Sequence, residues 1–301
     1  MRRILAIGFL CGLLGMAGCG GPSATGPTLA EQASQAQQVK DPEIRARKLV
    51  KIAAAQSAAK DYRGARDSLA AAFRACGEIG DDAAKATAFG LLAEVQSRLE
   101  FKSEAQNSAQ MAIAAADKSG DRVAQARAFG LAGAALAVSG DAAAAEKALQ
   151  RAEKTAVKIS DPASRIIALC GTAADWQKAG RKSESDRLFQ LAHDESLKIE
   201  GDGARVAALG TLALSSAKLG RSDAAARFDE AVEAARKCAD PLARTYALMD
   251  LAGKFLKAGE AAEARRLLNE AETAAAKITA RDQQTQALDK VRRMMDALPR
   301  P

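Results

Sequence analysis

The chain has 301 residues, 48% hydrophobic but only 4% aromatic, with 27% charged and a formal net charge of +7. Ala, Leu, Glu, Lys and Arg dominate, all strong helix formers, and the chain has no alternating β-branched runs, which argues against a sheet-built core. Basic and acidic residues alternate without a block of like charge, which argues against a nucleic-acid-binding surface.

Residues 1–18 read as a secretory leader. Arg2 and Arg3 give a basic start, Ile4 to Leu14 an apolar run, and small residues follow up to Cys19. That run is too short to span a bilayer as a mature helix. Met16-Ala17-Gly18-Cys19 resembles the lipobox of bacterial lipoproteins, with Met16 where Leu is usual. The resemblance implies that Cys19 is acylated, palmitate being one such chain, and becomes the new N-terminus. It also implies an exported protein, lipid-anchored in the cell envelope. Gly20, standing where a retained protein would carry Asp, points by the same resemblance to the outer membrane, facing the periplasm. An ordinary signal peptide cut nearby would leave Cys19 incidental. Residues 19–40 then comprise the lipidated Cys, a flexible tether of small and turn residues (Gly20 to Pro27) and a short leading helix within Thr28 to Lys40.

A forty-residue period starts at Asp41. Asp41, Asp81, Asp121, Asp161, Asp202 and Asp240 open six copies over 41–280. Gly140, Gly180, Gly220 and Gly259 mark the break inside each unit, with Lys60 and Glu100 in that slot of the first two. Each Asp is a helix N-cap, followed by Pro at the first helical position in three copies (Pro42, Pro162, Pro241). In the fourth copy Leu169, Thr172, Ala173 and Trp176 share one face of a first helix. A second helix runs from about Ser183 to Ile199, with Ser185, Phe189 and Ala192 along one side. Each unit is thus an antiparallel helical hairpin, and a fixed period of this size means a stacked solenoid. Residues 281–301 form a C-terminal capping helix, with Leu288, Val291 and Met295 inward and Arg292 and Arg293 outward.

Within the units, Leu49-x2-Ile52-Ala53 leads to Ala65-x3-Leu69-x2-Ala72, and Phe89-x2-Leu92-Ala93 leads to Ala105 and Ala112. Phe129-x2-Ala132-Gly133 leads to Ala145, Leu209-x2-Leu212-Ala213 to Ala225, and Leu248-x2-Leu251-Ala252 to Ala264. The two small residues stand twelve apart in every copy, allowing two helix backbones to approach. This pattern resembles the tetratricopeptide repeat. It departs in having forty residues per unit rather than thirty-four, in lacking the Pro after the second helix, and in placing Asp229 where a large apolar residue belongs. A HEAT-like solenoid shares the period. The resemblance implies an all-α, right-handed solenoid whose first helices line a concave groove.

Catalytic signatures are absent from the sequence, which points away from an enzyme. His193 is the only histidine and reads as a surface residue. Asp81-Asp82 and Asp229-Glu230 sit at helix starts or on solvated faces, where they suit capping and dipole roles. Cys76, Cys170 and Cys238 fall in different repeats, too far apart to pair, and read as small buried thiols. No metal or cofactor site is expected. Arg45, Lys85, Arg165, Arg205 and Arg244 recur once per repeat, with Gln125 interrupting. They form either an acidic-ligand rail or local i,i+4 pairs such as Asp41 with Arg45, and the local reading is preferred. A second column, Arg98, Lys178, Lys218 and Lys257, ends the first helices. The resemblance places it on the concave groove, with Gln177, Leu214, Tyr246, Met249 and Leu256 beside it, where cations hold a peptide carboxylate. Helix-dipole complementarity explains the same lysines as well. The expected function is a scaffold or assembly factor that grips other envelope proteins or peptides, held to the membrane by its lipid. The alternative is an envelope-polymer or lipid-binding module using a basic rim. No small-molecule substrate is inferred.

Overall fold

The computed structural model describes residues 26–299; the expected leader, Cys19 and the expected tether as far as Thr25 lie outside them. Among the described residues there are fourteen helices and no strand. A leading helix, α1 (Leu29–Gln37), is closed by a capping box between Thr28 and Glu31. Six hairpins follow: α2 (Pro42–Ala58) with α3 (Tyr62–Glu78), α4 (Asp82–Arg98) with α5 (Lys102–Lys118), and α6 (Arg122–Val138) with α7 (Ala142–Ala156). The array continues with α8 (Pro162–Lys178) and α9 (Lys182–Leu197), α10 (Asp202–Lys218) and α11 (Ala224–Lys237), and α12 (Pro241–Lys257) and α13 (Ala261–Ala275). A single helix, α14 (Arg281–Asp296), packs on α13 and α12. It buries Val291 and half-buries Leu288 and Met295.

The helix starts follow from side-chain chemistry. Asp41, Asp81, Asp121, Asp161 and Asp240 each accept a backbone N–H from the first turn of their helix. Asp202 is different: the cap of α10 is Gly201, at φ +86°, and Asp202 is the first helical residue. There its charge meets the positive end of the helix dipole without a capping bond. Each hairpin turns through a left-handed residue, and Lys60 (φ +64°) and Glu100 (φ +65°) adopt the conformation that Gly140, Gly180, Gly220 and Gly259 take in the later repeats.

The small residues twelve apart are buried in five hairpins, from Ala53 with Ala65 to Ala252 with Ala264. The fifth hairpin departs. Ala225 and Asp229 are exposed, and Phe228, Ala231 and Val232 fill the core instead. One residue fewer separates Gly220 from Gly259 than separates earlier markers, so α11 starts in a register shifted by one. The apparent polar intrusion at Asp229 is thus a counting shift, and an aromatic ring occupies the slot.

Of the basic column, only Arg205 lies within ion-pair reach of the Asp before it, at 3.8 Å from Asp202. The main role of Arg45, Arg165, Arg205 and Arg244 is to donate to the backbone carbonyl six residues back, on Val39, Ile159, Ile199 and Cys238. Gln125 does the same to Ser119. These carbonyls lie just past the end of the preceding helix, which is α1 for Arg45 and a second helix for the others, so each clasp satisfies an acceptor that the chain leaves open there. The carbonyl-bearing residue, or its equivalent Ile79 or Ile278, is itself buried in most repeats, which plugs the inter-repeat loop.

First helices pack directly on one another, whereas second helices pack on first helices. The first helices therefore form the crowded inner face and the second helices the spread outer face. Ion pairs link successive second helices: Arg66 to Glu104 (2.5 Å), Arg151 to Asp117, Arg187 to Glu153 (2.6 Å) and Arg236 to Glu270 (2.8 Å). Between α9 and α11 the link is His193 to Glu230 at 2.9 Å, with Arg221 to Asp186 at 2.6 Å beside it. His193 is therefore a half-buried inter-repeat partner rather than a free surface residue. Cys76, Cys170 and Cys238 are buried free thiols.

Candidate functional site

The inner face is built from small residues, and at its centre α6 is enclosed almost completely. Ala126, Ala128, Leu131, Ala132, Ala134, Ala135 and Leu136 are all buried. Gly130 explains how the next repeat comes so close: a Cβ there would collide with Oδ2 of Asp175 on α8. Asp175 is 2% exposed. Burial pushes its carboxyl up to about 6, opposed by the charges of Lys178 and Arg127 and assisted by Glu94. Lys178 Nζ lies 3.4 Å from Asp175 and 2.6 Å from Glu94 on α4. Burial disfavours the charged Lys178, but Asp175 and Glu94 outweigh it, and its pKa rises. Glu94 and Lys178 belong to helices separated by α6, so this bridge spans two repeat steps across the inner face.

Beside the bridge lies a cavity of about 500 Å³ between α6, α8 and α10. Val123, Ile167 and Ala168 give it apolar walls, and Arg127, Lys178 and Lys218 converge on it. Ile167 is 57% exposed. Cys170 lines one wall, with burial pushing its thiol up to about 12, so it stays an unreactive thiol near neutral pH. A second inner cavity, of about 430 Å³, lies over α2 and α4 and is walled by Ala46, Val50, Thr87 and Leu91.

Two of the nine expected groove residues, Lys178 and Lys218, line the central cavity. Lys178 is already engaged by Glu94 and Asp175, whereas Lys218 forms no ion pair among the described residues. Gln177 gives its amide to the carbonyl of Leu219 at 3.2 Å, tying α8 to the next turn. Leu214 is half-buried against the C-terminal core. Met249 is 7% exposed and belongs to that core, so it is no groove anchor: at the equivalent position Gly90, Gly130 and Gly210 face the following first helix. Tyr246 and Leu256 are exposed at the far end, with Lys290 of α14 4.9 Å from the Tyr246 ring. Arg98 and Lys257 are exposed, far along the stack from the central cavity. The column therefore does not form one continuous site.

Arg127, Glu94 and Asp175 belong to the central cluster without having been singled out in the sequence. Asp175 left a trace there: it stands on the buried stripe of α8, between Thr172 and Trp176. The basic rim offers little as a ligand rail, because Arg45, Arg165, Arg205 and Arg244 are occupied by backbone carbonyls. Among the described residues there is no cluster of three or more potential metal ligands and no helix long and apolar enough to cross a membrane.

No family model matches the chain, and no curated protein matches it. Solved structures of similar shape include Ton1535 from Thermococcus onnurineus NA1, at 13% identity and TM-score 0.42, with 86% of this chain and 94% of that one covered. A Rap protein complexed with competence and sporulation factor aligns at 14% identity and TM-score 0.38, over 88% and 79%. A putative kinesin light chain of Podospora anserina, described as having nearly identical TPR-like repeats, aligns at 17% identity and TM-score 0.35, over 66% and 98%.

Proposed function

We propose that the chain is an interaction scaffold that holds a carboxylate-bearing segment of another protein on its inner face. The observation that carries this reading is the convergence of Arg127, Lys178 and Lys218 on an apolar concave cavity of about 500 Å³. Apolar walls with a few convergent charged groups are what a peptide side chain and its neighbouring acid require. Lys178 is held by two acids, so Lys218 and Arg127, both exposed and without an ion pair among the described residues, are the cations open to a partner, and Ile167 is the exposed apolar contact. The partner class is another envelope protein. This extends the lipobox resemblance of residues 16–19, by which the chain is exported and anchored through acylated Cys19. Labelling with a palmitate analogue, lost in Cys19→Ser, tests the anchor.

The test of the site is affinity capture from crosslinked envelope fractions, with Lys218→Glu compared against Lys257→Glu. Loss of one protein with Lys218→Glu and its retention with Lys257→Glu supports the central cavity. Equal capture by both variants and by the unaltered chain excludes it. Retention of glycan or lipid alone at low salt, with no protein, replaces the scaffold by a polymer-binding module.

A further inference from the structure

The outer face carries a cavity of about 290 Å³ between α3 and α5, walled by Phe73 and Phe101. Gln96 of α4 lines it and is 2% exposed, yet its carbonyl oxygen has no hydrogen-bond partner. Ser108, twelve residues on, is equally unpartnered. The first repeat contains the same pair and closes it, Ser68 Oγ donating to Gln56 Oε1 at 2.7 Å. That oxygen is sealed from solvent, so Gln96 meets the cavity through the other atoms of its side chain. At the rim, Arg74 is exposed and forms no ion pair among the described residues, on a face where Arg66, Arg151, Arg187 and Arg236 are all paired. On the same helix Tyr62 is 61% exposed, more than any other large apolar side chain among the described residues, and it follows Asp61.

We propose that α3 is the interface of a two-fold homodimer in which Tyr62 of each copy enters the Phe73–Phe101 cavity of the other. Tyr62 and Phe73 stand about 16 Å apart along α3 at 1.5 Å per residue. Two antiparallel copies of α3 that cross near Asp67 and Ser68 bring Tyr62 opposite Phe73, two residues on one face of the helix. The match occurs on both sides of the axis at once, as an isologous interface requires. Charge complements as well as shape: near the axis the exposed Arg66 and Asp67 carry opposite signs. Ala70, exposed between them, keeps the crossing thin. Tyrosine suits the cavity because its ring is apolar and its tip polar, placing a hydroxyl at the Gln96 amide. The second copy is favoured over a foreign partner because the exposed Tyr62 and the Phe73 wall of the cavity stand on one helix, in a register that two copies satisfy at once, with Arg66 and Asp67 at its centre.

Sedimentation equilibrium of the full chain in density-matched non-ionic detergent tests this at about 0.2 mM, where an interface at the small end of the specific range is populated. The expected result is a doubled protein mass. Tyr62→Ala should weaken self-association at least about tenfold, as loss of a buried aromatic anchor does. Tyr62→Phe, which keeps the ring and removes the hydroxyl, should fall between the two. Tyr62 is a surface residue, so an unchanged far-UV circular dichroism spectrum will show that the variants fold. A monomer at this concentration overturns the proposal, and so does a dimer whose strength Tyr62→Ala leaves unchanged.

Discussion

The two faces of the solenoid are held together by different physics. Outside, successive second helices are linked by ion pairs that are mostly part-exposed, such as Arg187 with Glu153. Inside, successive first helices touch directly through small residues, and the ionic bridge from Glu94 through Lys178 to Asp175 crosses that contact. Part-exposed pairs are each worth little, whereas close backbone packing tolerates no added volume. The outer charges thus set register and solubility, while the inner face sets spacing and curvature. The inner face is also where an open cation, Lys218, meets an apolar cavity, so structure and binding share one surface.

If that division is right, the largest effect comes from adding volume inside. Gly130→Val should displace Asp175, open the bridge and cost about 3 kcal/mol, read as a fall in urea midpoint. Gly171→Ala, on α8 where the nearest atom to an added Cβ is 3.9 Å away, should instead gain about 0.5–1 kcal/mol. Similar losses at both sites would refute the socket at Gly130. Next in size is the pH dependence of the bridge. Burial raises the Asp175 carboxyl from its ordinary 3.8 to about 6 in the folded chain, so the folded chain binds this proton more tightly. Its contribution therefore favours folding at low pH and is lost as pH rises from about 4 to 6. The stability of the native chain minus that of Asp175→Asn should fall across that window by at most about 3 kcal/mol and stay level above it. A difference that rises with pH would show that the charged form is the stabilised one. Other carboxylates act in the opposite sense; Glu270, held low chiefly by its bond from Arg236, stabilises above the ordinary carboxylate range, which is why the difference between variants is the quantity to follow.

Much of this architecture was legible because local rules repeat. The capping Asp residues and the turn slot are short-range signals, and the slot is real even where Lys60 and Glu100 replace Gly. The shift in the fifth hairpin was not legible: counting from Ala213 assigns Ala225 to the core, and only burial shows that Phe228 takes over. The arginine column was visible as a period, but its bond to a carbonyl six residues back needs the loop geometry. The site was half legible. Lys178 and Lys218 stand out as charges at helix ends, whereas the pairing of Lys178 with Glu94 depends on how tightly three first helices curve. That curvature comes from packing at Gly130 and leaves no short-range signal. Met249 misled because helical periodicity places it beside the groove, while packing turns it into the core.

Smaller effects sharpen the contrast between the faces. Replacing Glu100, held at φ +65°, by Gly removes left-handed strain of about 1 kcal/mol, less the entropy of a freer unfolded chain, so the midpoint should rise modestly. A double-mutant cycle on Arg187 and Glu153 should return only about 0.5 kcal/mol. That coupling should vanish in ~1 M salt, where screening acts within a few ångströms. The Gly130→Val loss should persist in the same salt, because it arises from steric overlap and burial rather than exposed charge. A large, salt-resistant coupling at Arg187 would mean that the outer ladder, not the inner contact, holds successive repeats in place. The inner cavity could then change shape without breaking the stack, and substitutions at Lys218 would report on binding with no change in stability.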